Sequence, residues 1–281
     1  MATKDSGKDK EHPLSAPGNE AKDLTVQQSG LPALPDPATL KEIFEANFEG
    51  LKPRFEVIKM PTAGATIWSI PGEGEEPDLQ KEIVGIVLDH YATRVYWDTE
   101  MTDGGGKPPT CFSLNGKEGS LARVEKNWYG DCASCAFSQW GTATKNGKPS
   151  RGQACQKRHR IFVLIEGQSI LPYLISLPPS SGDKMYDGSF STYVVKLAGK
   201  LKSVGEVRSK IKLIKDRNED NIEYAKAQFF SAGDLTAEEK TKVKALREML
   251  KPAMREKIFE PEEGNPATGP QSSGPEPWEE G

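Results

Sequence analysis

Short blocks of alternating hydrophobic and polar residues run through the middle of the chain, and they predict mainly strands. Alternation with a period of two, or a brief apolar run bounded by turn residues, is typical of strands buried on one or both faces. The predicted strands cover residues 54–59, 66–70, 82–97, 160–166, 170–177, 206–214 and 222–230.

Three segments have helical spacing instead. Thr39 is expected to cap a short helix, and a second helix is expected over 191–201. The third begins with a capping box at Thr236 and covers 236–257, with a kink expected at Pro252 because proline cannot donate the helical hydrogen bond.

The order of these elements predicts a mainly β fold with helices, of the α+β class. The last five strands, with a helix before the fourth of them and a long loop after the first, suit an OB-like five-stranded barrel. The predicted domain covers 37–258, with an insertion at 99–160 and the C-terminal helix at 236–257. Periodicity does not show whether the strands close into a barrel.

Both ends of the chain are predicted to be disordered. Residues 1–36 are rich in charged residues, proline, serine and glycine, and 259–281 carry six acidic residues and no basic one. Only 36% of the chain is hydrophobic, which agrees with tails around a folded middle. The chain starts without the apolar stretch of a secretory signal, and its longest apolar runs are too short to cross a membrane. We therefore expect a cytoplasmic protein with no membrane partner.

The four cysteines of the chain all lie in the predicted insertion, as Cys111, Cys132, Cys135 and Cys155. The middle two form a Cys-x-x-Cys pair, and two flanking thiolates could complete a tetrahedron around one structural zinc ion. His159 could replace one cysteine. The alternatives are free core cysteines or an iron–sulfur cluster. If all four thiolates bind the metal, no open coordination position is left for catalysis.

The insertion is also basic and aromatic. From residue 107 to residue 160 there are ten Lys or Arg against three acids. Cations neutralise phosphates and aromatic rings stack on unpaired bases, so this composition favours single-stranded nucleic acid. The predicted contacts are Lys107, Arg123, Lys126, Trp128, Tyr129, Phe137, Trp140, Lys145, Lys148, Arg151, Lys157, Arg158 and Arg160. The alternative is a solvated loop whose aromatic side chains pack over the metal site.

Enzyme motifs are missing from the chain. The segment Gly141 to Lys148 has the wrong spacing for a phosphate-binding loop, and Pro149 stands where a hydroxyl residue is needed. No metalloprotease, serine-hydrolase or zinc-deaminase motif is found. The pair Asp89-His90 falls within a predicted strand and is interpreted as structural. We expect no enzymatic activity.

Several motifs together resemble a family of proteins from phages and integrative elements of Gram-positive bacteria. They are PPTCFS at 108–113, GDCASC at 130–135, GQAC at 152–155, RIFVL at 160–164 and LPPSS at 177–181. The resemblance covers roughly residues 50 to 250. The layout is also similar to that of phage single-stranded DNA-binding proteins of the T-even type, which join an OB fold, a zinc-bearing insertion and an acidic tail.

These resemblances imply a single-stranded DNA-binding protein in the bacterial host cytoplasm, acting in replication or recombination. The acidic tail, with Pro277 and Trp278, would recruit replication or recombination proteins. It resembles the tails of bacterial single-strand binding proteins, although those end in an aromatic residue and this one continues to Gly281. The alternatives are a regulatory module that binds a recombinase, like a recombination directionality factor, and a nuclease, which would need clustered carboxylates.

Overall fold

The predicted strands and helices recur, with shifted ends, in a computed structural model of the chain. The structure describes residues 34–72, 74, 76–97, 109–121, 130–145, 148–183, 186–218 and 221–256. The helices are α1 Pro37–Phe48, α2 Pro179–Gly182, α3 Phe190–Ala198 and α4 Ala237–Met254. The strands are β1 Val57–Ile58, β2 Trp68–Ile70, β3 Asp78–Gln80, β4 Glu82–Tyr96, β5 Cys111–Ser113, β6 Ser120–Leu121, β7 Thr144–Lys145, β8 Lys148–Pro149, β9 Gln156–Ile165, β10 Tyr173–Leu177, β11 Val207–Arg217 and β12 Glu223–Asp234. Predictions for residues 1–33 and for the tail 259–281, including Pro277 and Trp278, lie outside the described residues.

The helix ends correct one prediction and confirm another. Asp36, not Thr39, caps α1, because its carboxylate accepts the N–H groups of Ala38 and Thr39 at 3.0 and 3.2 Å. The capping box at Thr236 opens α4 as predicted, and the helix includes Pro252. None of the described helices is both long enough and apolar enough to span a membrane.

The main sheet has eight strands, three more than the predicted barrel. Six of them lie in the order β1-β10-β9-β4-β11-β12, while β5 pairs with β4 and β6. The β1–β10 pair is parallel and the other pairs are antiparallel. The 99–160 segment is therefore not only loop, since β5 to β8 and the first residues of β9 fall within it.

Strand β4 is the centre of this sheet. It pairs with β11 through residues 82–85 and with β9 through residues 85–95, with a bulge between Val87 and Asp89. Gly85 lies at the point where both neighbours pair, and a Cβ there would come within 2.3 Å of the Leu164 carbonyl oxygen. Bulges increase strand twist, and a glycine tolerates close backbone approach, so β4 can curl and serve two neighbours.

The inner face of the curled sheet carries one hydrophobic core. Val87, Ile161 and Val163 project into it, and α3 covers it with Phe190 and Tyr193. The other members of this core are Ile58, Trp68, Ile70, Ile83, Ile165, Tyr173, Ile175, Leu177, Leu197, Val204, Val207, Ile211, Leu213, Ala225, Ala227 and Phe229.

The outer face of the same strands is covered as well. Phe162 and Leu164 of β9 belong to a second core, together with Phe44 of α1 and Leu246 and Leu250 of α4. Burial on both faces explains why residues 161–165 form an unbroken apolar run instead of an alternating one.

The fold is mixed α+β, with mainly strands, few helices and a sheet curled into a half-barrel. This agrees with the predicted class. Among the described residues the paired strands form an open path from β1 to β12, and no pairing closes it.

Candidate metal centre and nucleic-acid interface

The four cysteines line one cavity of about 270 Å³. Cys111 begins β5, Cys132 and Cys135 lie in a turn before a short 3₁₀ helix at 136–138, and Cys155 directly precedes β9. Residues distant in sequence therefore meet here because β5 and β9 both pair with β4.

The Cys-x-x-Cys turn is held by hydrogen bonds rather than by a core of its own. The Cys132 N–H donates to the Lys117 carbonyl at 2.6 Å, and the Ser138 N–H donates to the Cys135 carbonyl at 3.0 Å. The Cys155 N–H donates to the Phe137 carbonyl at 2.7 Å, which connects the turn to the start of β9. These bonds place Cys132 and Cys135 of the turn around the same cavity as Cys155.

Burial raises the pKa of the thiols of Cys111, Cys132 and Cys155, and brings that of Cys155 to about 11. Repulsion between the cysteines contributes in each case, because a thiolate at one position disfavours a thiolate at the next. A cation in the cavity would reverse this effect, since metals bind the deprotonated form.

The residue types that line the cavity suit a metal ion. Four thiols around one cavity are a donor set that suits zinc. As the described side chains stand, however, no group of three or more His, Cys, Asp or Glu could hold a metal ion. His159, the alternative ligand, is absent from the cavity lining, and its Nε2 lies 3.0 Å from Nδ1 of His90.

Two of the predicted nucleic-acid contacts come together on the surface. Trp140 is 71% exposed, and Arg151 is exposed. The Gly141 N–H donates to the carbonyls of Arg151 and Gly152, which brings the neighbouring Trp140 close along the backbone to Arg151. Lys148 is exposed on the β7–β8 hairpin that connects these two segments.

Other predicted contacts have internal partners. Phe137 stacks on Tyr96 with ring centroids 4.3 Å apart, so this ring packs beside the cavity as the alternative interpretation expects. Lys157 forms an ion pair with Asp183 at 3.0 Å. Arg158 donates to Gln156 at 3.2 Å.

Arg160 requires a correction. It is only 2% exposed and lies beside the Tyr91 phenol, so its position does not agree with a surface contact. Lys107, Arg123, Lys126, Trp128 and Tyr129 lie outside the described residues, as does the side chain of Lys145.

The sequence analysis missed Arg94. This arginine of β4 lines the cysteine cavity, and it interacts with Cys132 and Cys155. Its signal in the sequence is a cation within a predicted strand, two residues after Ala92 and two before Tyr96.

The pair Asp89-His90 has structural contacts. The buried carboxylate of Asp89 accepts two hydrogen bonds from Arg255, at 2.6 and 2.8 Å, and so fastens β4 to the end of α4. His90 contacts His159 and Phe190. Both agree with the structural interpretation of this pair.

Comparisons of the chain with models of known protein families, with curated proteins and with solved structures find no match.

Proposed function

We propose that the protein is an OB-type, zinc-stabilised protein that binds single-stranded DNA of a phage or mobile element and has no catalytic activity. The observation that carries the proposal is the strand order β10-β9-β4-β11-β12, with α3 between β10 and β11. Numbered from β4, this is the third-second-first-fourth-fifth order of an OB fold, with a helix between the third and fourth strands. In such folds the loop between the first two strands binds oligonucleotides.

The gap between β10 and β12, where an OB barrel would close, is bridged by hydrogen bonds from the segment after β10. The Ala227 N–H donates to the buried hydroxyl oxygen of Ser181 at 3.0 Å. The Phe229 N–H donates to the Gly188 carbonyl at 2.7 Å, and the Tyr186 hydroxyl donates to the Ala227 carbonyl at 2.8 Å. OB barrels are often only partly closed, so these bridges support the interpretation.

The proposed DNA path follows the insertion, not the outer face of β9 and β10. Helices α1 and α4 pack on that outer face, so it offers no open groove there. In the insertion, Trp140 exposes a ring on which a base can stack, and Lys148 and Arg151 provide charge for phosphates.

The four cysteines are proposed to hold one structural zinc ion. Zinc bound by four thiolates connects the segments that carry Cys111, the Cys-x-x-Cys turn and Cys155, and stabilises the insertion as a platform. Protein purified without chelators should contain about one zinc per chain by elemental analysis. A chain that carries no metal contradicts this part of the proposal.

The acidic tail is proposed to recruit replication or recombination proteins in the bacterial cytoplasm. Its negative charge would also compete with DNA for the basic insertion, since both ligands are anionic.

Fluorescence anisotropy with labelled oligo-dT and with a duplex of equal length, each at two salt concentrations, tests the proposal. We expect tighter binding to the single strand, and a steep loss of affinity with salt because phosphate contacts release counterions. Equal affinity for the duplex, or no binding at low salt, contradicts it. The latter result would favour the recombinase-binding alternative.

Site variants locate the contact. Trp140→Ala should weaken oligo-dT binding by about 5- to 150-fold, the range expected for one lost stacking contact. Phe230→Ala is the control, since it removes an aromatic ring that is 40% exposed on β12, outside the insertion. Equal losses in both variants would contradict the proposed path.

A further inference from the structure

Arg94 places a guanidinium among the cysteines. It lies on β4, where its pairing partners are Ser113 of β5 and Lys157 of β9. Strand β5 begins at Cys111, and β9 begins directly after Cys155. A side chain that projects from β4 between these two strands can therefore lie close to both cysteines. Among the described residues that line the cavity, Arg94 is the one cation, and Asp131 is the one acid.

The hydrogen bonding of Arg94 is incomplete. Nε and Nη1 are buried and have no hydrogen-bond partner among the described residues. Leaving buried donors unsatisfied costs about 1–3 kcal/mol, more for a charged group. The same side chain lines the cavity with Cys155 and Cys132, and its positive charge acts on both sulfur atoms. The acceptors that it lacks are of the kind that deprotonated sulfur atoms beside it would supply.

The charge balance of the proposed centre points in the same direction. Four thiolates around a divalent zinc ion carry a net charge of about −2 in a partly buried cavity. A guanidinium keeps its charge at any pH relevant here, and its planar fork can donate to two acceptors at once. Hydrogen bonds from a charged donor to an ionised acceptor are stronger than neutral ones.

We propose that Arg94 is a positioning residue for the metal centre, which donates hydrogen bonds to the metal-bound thiolates of Cys155 and Cys132 and offsets part of their negative charge. The inference rests on the proposed zinc site. In this role Arg94 connects β4, the central strand of the fold, directly to the metal ligands. Strand β4 would thereby help to hold the insertion in place.

Metal affinity tests this role with zinc itself as the probe. Competition against a chromophoric chelator should show about 10- to 100-fold weaker zinc binding for Arg94→Gln, the range typical when an outer-shell partner is removed. Arg94→Lys should recover part of the loss, because it keeps the charge but not the fork. Arg54→Gln is the matched control, since it removes the same charge from an exposed site outside the insertion and should leave the affinity unchanged.

Cobalt substitution provides a readout that a packing role would not change. Donated hydrogen bonds lower the energy of sulfur electrons, so the thiolate-to-cobalt charge-transfer band should move to lower energy in Arg94→Gln and remain in place in Arg54→Gln. If Arg94→Gln does not fold, Arg94→Lys decides by the same band, which should shift in the same direction.

The outcomes separate the inference from the proposed centre. Wild-type affinity together with an unmoved band in the Arg94 variants overturns the role of Arg94 and leaves the zinc site standing. A wild-type chain that binds neither zinc nor cobalt overturns both.

Discussion

The buried histidine pair should make the fold sensitive to mild acid. Nδ1 of His90 lies 3.0 Å from Nε2 of His159, so one neutral ring donates a hydrogen bond to the other. Phe190 packs against both rings. A proton added to the accepting nitrogen would leave two donors facing each other. Burial lowers the pKa of both histidines, and that of His159 falls to about 4.

The sign and size of the effect follow from linkage. An unfolded histidine titrates near 6.5, so between this value and about 4 the unfolded chain binds the proton that His159 in the folded chain refuses. Stability is therefore unaffected by this group above pH 7 and falls as the pH drops. Integration over the His159 titration gives a loss of about 2 kcal/mol between pH 7 and pH 5. His90 adds to the loss in the same direction.

Other charged groups act on the pair too. Those that influence it are Asp89, Lys157, Asp183, Arg247 and Arg255. Their contribution to the pH dependence of stability, and that of the cysteines, is the same in the wild type and in variants that change a single histidine. Comparison between variants therefore isolates the histidine contribution.

Urea unfolding followed by tryptophan fluorescence at pH 7 and pH 5 measures the effect. The free energy of unfolding of the wild type should fall by about 2 kcal/mol more than that of His159→Gln. His12→Gln replaces the chain's remaining histidine and should behave like the wild type. If His159→Gln loses as much stability as His12→Gln over this interval, the reasoning about the pair is refuted.

Two further substitutions test the cysteine cavity and the bridge to β12. Gly119→Ala should weaken zinc affinity in chelator competition, because its Cβ would lie 3.1 Å from a cysteine Sγ, whereas Gly130→Ala adds a methyl group that meets nothing within 4 Å. Equal affinities in the two variants would show that the cavity adapts. Ser181→Ala should lower the free energy of unfolding by about 1–3 kcal/mol, because the Ala227 N–H loses its buried acceptor. Ser180→Ala is its control in the same helix, and a matching loss there would contradict this account.

The sequence by itself determined the elements whose signals are local. Period-two alternation and short apolar runs located the long strands to within a few residues, and the capping box at Thr236 identified the start of α4. The clustering of the cysteines and of the basic residues is also a property of the sequence alone. The α1 cap was misassigned by three residues, because both Asp36 and Thr39 can cap a helix and only backbone geometry distinguishes them.

Tertiary structure decided which residues meet and which are covered. Arg151 and Arg160 look alike in the sequence, yet one is exposed and the other buried, because β9 enters the sheet between them. Arg94 joins the cysteines only because β5 and β9 pair on either side of β4. Many different strand pairings are compatible with the same local pattern, because pairing depends on contacts between residues far apart in sequence. Periodicity therefore predicts where a strand lies but not which strands pair with it.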